Sequence, residues 1–327
     1  MLAIFQRHPR FAITCALGLL CLLLLQTSGP SDPFGPRLGR LYRHGHSSGG
    51  DLDTAWRLSQ SEHVYQNMLR DRAKLIQKFG PTKNDILPWP KNREFYTLWD
   101  FFIPAFNCPH ETQRVGILGD GGKWMCGLSR LQDKKDCTIY SFGINDESSF
   151  EAGLLELTQH CEVWGYDFSV KDFGPEIRNV PHLAARSHFK SWGLAGKDDP
   201  NGRPPMYTLQ SLMKMNGHKF IDILKIDIEG YEFPALRSLI EYSKKHNQPL
   251  PFGQLQLEIH ADRMPGVKDD KKMFKEFLEW WESLEEAGLR PFWTEPNLIF
   301  VNINLGTQPA LAEYSFINIK ADHDVLH

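Results

Sequence analysis

Five side chains able to hold a proton, a metal or a cofactor hydroxyl fall where strands should end: Asp167, Asp227, Glu229, Glu258 and His260. Asp227 and Glu229 close the stretch 220–232, FIDILKIDIEGYE, whose nearly continuous apolar run suits a central parallel strand covered on both faces. Ligands of open α/β sheets bind beyond the carboxyl ends of such strands. Glu258 and His260 lie two residues apart at the end of the next apolar run, FGQLQLEIH. Asp227, Glu229, Glu258 and His260 are therefore expected at one mouth. They could position a cofactor, act as a general base, hold a divalent metal, or form an ion-pair network without chemistry. No local ligand motif such as HExxH is present, so no metal is expected. Lys225 shares the strand side of Asp227, and a buried ammonium needs a partner, for which Glu258 is the candidate.

A second pair of positions lies upstream. Gly143 ends the run CTIYSFGI, and a glycine there lets backbone approach a ligand closely. Asp167 ends the run CEVWGYDF, 24 residues further on. An acid about 20 residues beyond a glycine turn is where ribose hydroxyls are gripped. The GxGxxG fingerprint of dinucleotide folds is absent, and an ordinary tight turn explains Gly143 equally well.

These residues need a scaffold. Residues 137–144, 161–168, 220–228 and 252–260 read as strands, and 182–192 as a poorer one. Helical spacing covers 150–159, 208–216, 234–245 and 269–287. Two further strands, within 289–297 and 312–320, follow without a helix between them. A mostly parallel sheet with an antiparallel end results. Upstream, a helix is expected from Asp53 or Thr54 to Phe79, packed on the domain edge or acting as a spacer. A Gly-rich hairpin is expected around residues 120–123. Cys137 and Cys161 each precede a strand-end residue by six positions, so a disulfide can join the two strand starts, leaving Cys108 and Cys126 as the other pair; four buried thiols are the alternative.

The net charge of −3 and mixed signs speak against nucleic acid as the main partner. Arg7, His8 and Arg10 precede an uncharged apolar run at 11–25, which reads as a signal anchor, with a cleaved signal peptide as the competitor. The expected organisation is an anchor (1–27), a flexible stem (28–53), a helical spacer (54–94) and a catalytic domain (95–327). The protein is then a single-pass type II membrane protein of the Golgi or ER with a lumenal domain.

In order along the chain, RVGILGDGGKWMC, CTIYSFGINDESSFE, CEVWGYDFS, TLQSLMKMNGHKFIDILKIDIEGYEFPAL and QLQLEIH resemble the class I S-adenosylmethionine-dependent methyltransferases, closest to their FkbM-like and methyltransferase-like branch. The resemblance covers roughly residues 95–320. It implies a Rossmann-like α/β fold with a seven-stranded sheet of order 3-2-1-4-5-7-6, strand 7 antiparallel, and S-adenosyl-L-methionine as cofactor. Gly143 and the turn with Asn145 would approach its methionine part, Asp167 its ribose, and Asp227 with Glu229 its amine or the acceptor. The adenine would lie near residues 188–192. Asn145 and Asp146 stand where the family more often has glycines. The implied reaction is O-methylation of a small molecule or glycan, with Asp227 or His260 as base. A binding protein without turnover and an NAD-dependent oxidoreductase are the alternatives.

Overall fold

The described residues begin, in the computed structural model, with helix α1 (Gly49–Phe79), which starts a turn earlier than expected. The described residues are 49–91, 94–267 and 270–327, so the anchor and most of the stem lie outside them. Among the described residues no helix is long and apolar enough to cross a membrane. Helix α1 docks rather than spaces. Tyr65 is fully buried, and Arg72 donates to the Phe101 carbonyl (2.7 Å) and pairs with Glu285 (2.6 Å).

The hairpin follows as β1 (Thr112–Val115) and β2 (Lys123–Cys126), antiparallel across the Gly-rich turn. Strand β3 (Thr138–Phe142) leads through helix α2 (Ser149–Leu157) to β4 (Glu162–Tyr166). Two single-turn helices, α3 (Pro175–Arg178) and α4 (Pro181–Ala184), precede β5 (Ser187–Lys190). A small pair, β6 (Gly193–Leu194) and β7 (Met206–Tyr207), comes before α5 (Leu209–Asn216), which Thr208 caps by accepting from the Ser211 amide. Strand β8 (Ile221–Ile226), α6 (Glu232–His246), β9 (Phe252–His260) and α7 (Asp270–Ala287) continue the alternation. Strand β10 (Leu289–Pro296), the short helix α8 (Leu298–Ile303) and β11 (Leu311–Asn318) complete it.

The large sheet has the order β10-β11-β9-β8-β3-β4-β5, with β11 antiparallel to both neighbours. This is the expected seven-stranded arrangement. Every residue of β8 and β9 is buried, as central strands require. Tyr140, Leu224, Leu255, Leu257 and Phe316 belong to the larger apolar core, with α7 aromatics such as Phe277 and Trp281. Ile139, Val163 and Ile223 join a second core with Phe150 and Leu154 of α2.

One buried row is polar. Ser141, Lys225, Gln256 and Ser315 are register partners across β3, β8, β9 and β11, and each is at most 5% exposed. Beneath the hairpin, Gln254 brackets the Cys126 backbone, accepting from its amide (3.0 Å) and donating to its carbonyl (2.8 Å). Buried polar groups need such partners. Disulfides join Cys108 to Cys126 and Cys137 to Cys161, the second tying the starts of β3 and β4.

Candidate active site

At the carboxyl ends of β3, β4, β8 and β9 lies a cavity of about 400 Å³, lined by Gly143, Asn145, Asp167, Trp192, Asp227 and Glu258 among others. Six of the seven residues singled out from the sequence line it, Glu229 included, and His260 sits behind them, 1% exposed.

Gly143 is required by geometry. Its φ is +82°, and a Cβ there would fall 1.8 Å from the Asp227 carbonyl oxygen. The ends of β3 and β8 thus touch, and the Asp227 amide donates to the Phe142 carbonyl (3.1 Å). Asn145 and Asp146 continue the turn at φ +46° and +62°. Asn and Asp are the non-glycine residues that best tolerate this region, which accounts for their standing where glycines are more usual.

Asp167 shapes the same turn. One carboxylate oxygen accepts from the amides of Ile144 (2.8 Å) and Asn145 (2.9 Å), the other from the Ser169 amide and hydroxyl (both 2.7 Å). Burial raises its pKa, but these four donors outweigh burial and hold it below the ordinary value. An ionised carboxylate has about four acceptor positions. All are used within the protein, so a ribose hydroxyl would have to share or displace a donor.

After β8 the chain turns sharply at Glu229 (φ +60°) and Gly230 (φ +101°), which ends the strand alternation. Glu229 therefore swings outward to Arg263 while remaining 3.4 Å from His260 Nε2. Asp227 stays inside. Burial raises its pKa, but Lys225, Lys123, a hydrogen bond with Glu258 and the His260 charge bring it below the ordinary value. Burial and the Asp227 and Glu313 charges push Glu258 up to about 9, so Glu258 carries the proton of that pair at neutral pH. Burial lowers the His260 pKa, but the Glu232 hydrogen bond and charge, with Glu258 and Asp227, push it up to about 9.

The expected partner of Lys225 is corrected. Its ammonium donates to the Gly143 carbonyl and lies 3.9 Å from Glu151 of α2, not against Glu258. The reason is register: Lys225 faces Gln256, a full strand repeat below Glu258. The cation beside the acids is instead Lys123 of the hairpin, 3% exposed, bonded to Glu313 and 4.0 Å from Asp227. Burial works against its charge, but Glu313, Asp227 and Glu258 hold its pKa above the ordinary value. Lys123, Glu232 and Glu313 were not singled out from the sequence. The signal available for Lys123 was a lysine ending a Gly-rich turn, and for Glu232 its place opening a helix after two strand-end acids.

The far wall is apolar. Trp192 stacks on Tyr166 (25° between planes), and a Cβ on Gly193 would meet Met206 Sδ at 2.4 Å and Phe168 at 3.0 Å. Trp192 lies in the segment expected near the adenine, and β6–β7 build the wall.

Residues 59–308, about three quarters of the chain, match a family described as a methyltransferase domain. The chain belongs to that family. Membership implies S-adenosylmethionine as the methyl donor. A human relative, a probable methyltransferase-like protein 24, is 29% identical over 200 residues, covering 57% of this chain and 51% of its own. The rat protein of that name is 27% identical over 174 residues, covering 51% and 44%. The chain spans about half the length of the curated relatives it matches. Among solved structures, a Methanococcus jannaschii fibrillarin pre-rRNA processing protein aligns with a TM-score of 0.33 at 16% identity, covering 58% of this chain and 69% of that one. A putative rRNA-methylase from Clostridium thermocellum aligns with 0.35 at 12%, covering 58% and 92%. Likenesses this distant carry no argument about acceptor or partner.

The cavity fits the donor. It joins an apolar aromatic wall for a base, a glycine turn that admits close backbone approach, and carboxylates for an amine and hydroxyls.

Proposed function

We propose that the protein methylates a hydroxyl oxygen of a small molecule or glycan, in an oxidising compartment of the secretory pathway. The observation that carries this reading is the place of Asp227: its carboxyl group lines the cavity directly after β8, next to Glu258. Such a group accepts the proton an attacking hydroxyl must lose. S-adenosylmethionine supplies a methyl group already activated on a sulfonium, so the protein's task is positioning. Gly143 and Asn145 admit the methionine part, Trp192, Met206 and Phe168 cover the base, and Glu229 stands at the rim. His260, charged at neutral pH, holds Asp227 and Glu258 in place rather than taking a proton itself. An open groove next to the cavity shares Tyr231 with it and adds Lys197, Arg237 and Glu241, which suits a hydroxyl-rich acceptor. The two disulfides and the apolar run at residues 11–25 support the compartment and a membrane anchor.

The test is a titration of the full chain with S-adenosylhomocysteine, S-adenosylmethionine and NAD. Both sulfur compounds are expected to bind and NAD not to; NAD alone binding sinks the reading. With a labelled donor and a panel of sugars and phenols, Asp227→Asn should lower turnover about 10²–10⁴-fold. S-adenosylhomocysteine affinity should change far less. An undiminished rate removes Asp227 from proton transfer.

A further inference from the structure

We propose that Asp227, Glu258 and His260 form a binding site for a divalent cation of the Mn²⁺ or Mg²⁺ class, with Glu313 as a further carboxylate within reach. One ligand atom from each of the three lies within 4.8 Å of the others, and Asp120, Glu258 and Glu313 make a second such group that shares Glu258. Oxygen ligands of a small divalent ion, each about 2.1 Å from it, stand about 3–4 Å apart. A closure of a few tenths of an ångström to about one ångström would complete the shell. The backbone that carries the three residues belongs to the central sheet or follows it directly. Glu258 and His260 project from one face of β9, two residues apart, and Asp227 follows β8 directly.

Two observations besides proximity point to a cation. His260 is 1% exposed, and its Nδ1 is taken by the fully buried Glu232 (3.3 Å), which also accepts from the His260 amide (2.9 Å). The ring is thereby fixed with Nε2 turned to the carboxylates, where its contacts among the described residues are long, 3.4 Å to Glu229 and 3.9 Å to Glu258. A carboxylate on one imidazole nitrogen is how metal-ligating histidines are oriented. In addition, Glu313 Oε2 is buried without a hydrogen-bond partner among the described residues, although its other oxygen meets Lys123. A buried carboxylate oxygen without a donor is costly unless something cationic faces it. Lys225 does not fill that place, since it is committed to the Gly143 carbonyl and Glu151.

Carboxylates with one imidazole and no thiolate select hard to borderline ions. An ion there would bind in place of the protons that Glu258 and His260 otherwise hold, and it lies at the cavity, where it would acidify a hydroxyl bound to it. The site departs from the expectation of no metal because its ligands come from two strands and a strand exit, not from a local motif. It rests on side-chain geometry, independently of the reaction proposed for the cavity.

The experiment is titration of the chelator-treated full chain with Mn²⁺, following free Mn²⁺ by electron paramagnetic resonance, with S-adenosylhomocysteine binding measured separately. One Mn²⁺ per chain is expected below about 1 mM, the weak end of carboxylate sites. Glu258→Gln and His260→Gln should each weaken it at least about tenfold, as loss of a ligand or its support does. Glu258→Gln is isosteric, so it answers the question if the histidine variant fails to fold. A chain that binds S-adenosylhomocysteine but no Mn²⁺, or Mn²⁺ binding indifferent to both substitutions, overturns the site. Mn²⁺ binding that responds to them in a chain without affinity for S-adenosylhomocysteine keeps the site and sinks the cofactor reading.

Discussion

Asp167 shows how one residue can serve the fold and a ligand with the same atoms. Its four donors hold a turn whose backbone would otherwise be strained, so Asp167→Ala should cost about 2–3 kcal/mol even without cofactor, the scale for bonds to a charged acceptor. The pH dependence has a definite sign. The folded pKa lies below the unfolded value, so the stabilisation is present above the ordinary value of 3.8 and is lost as pH falls through the folded pKa. Urea denaturation at pH 7 and pH 3 should therefore show wild type and variant converging at the acid end; a constant gap would contradict the hydrogen bonding described. Asp167, Gly143 and Asp227 were legible in the sequence because each closes an apolar run, and a strand's end is a local signal. What Asp167 bonds to was not legible, since the turn at Asn145 and Asp146 takes left-handed angles that residue types permit but do not dictate.

Between β8 and α2 the decisive contact is that of Lys225. It sits in a buried polar row, donates to the Gly143 carbonyl and faces Glu151, which is 1% exposed and accepts from Ser141. Removing one member of a buried ion pair leaves the other unpaired, so Lys225→Met should cost about 3–5 kcal/mol. The double variant Lys225→Met with Glu151→Leu should recover much of that, because a packed apolar pair can replace a buried ionic one. Chemical denaturation checks both; equal stability of single and double variants would show that the pair is not coupled. The order and direction of the strands followed from alternating apolar runs and helices, which encode the sheet locally. The partner of Lys225 did not, because it depends on register between strands, and one repeat separates Gln256 from Glu258. Helix α8 was also missed. Its run, LIFVNI, reads as apolar, yet no residue of it is buried, so its packing gave no periodic signal.

Across the molecule, two disulfides close loops of 18 and 24 residues, and none of the four cysteines lines the cavity. Each is expected to contribute about 3 kcal/mol by restricting the unfolded chain. Reduction should lower the unfolding midpoint, and peptide mapping of unreduced protein should recover Cys108 linked to Cys126 and Cys137 linked to Cys161. Other pairings, or four free thiols in protein from an oxidising host, would contradict the arrangement.

The cluster of acids also joins opposite ends of the domain. Lys123 comes from the early hairpin and Glu313 from β11, which is made last yet inserts between β9 and β10. A growing polypeptide emerging from the ribosome would have Asp227, Glu258 and His260 in hand while β9, paired with β8, still lacked β11 on its other side. Activity would then be withheld until synthesis passes residue 318, and no fragment ending earlier could be rescued by supplying cofactor. Such late closure of long-range pairing also makes the unfinished sheet edge along β9 the stretch most in need of chaperone cover during synthesis.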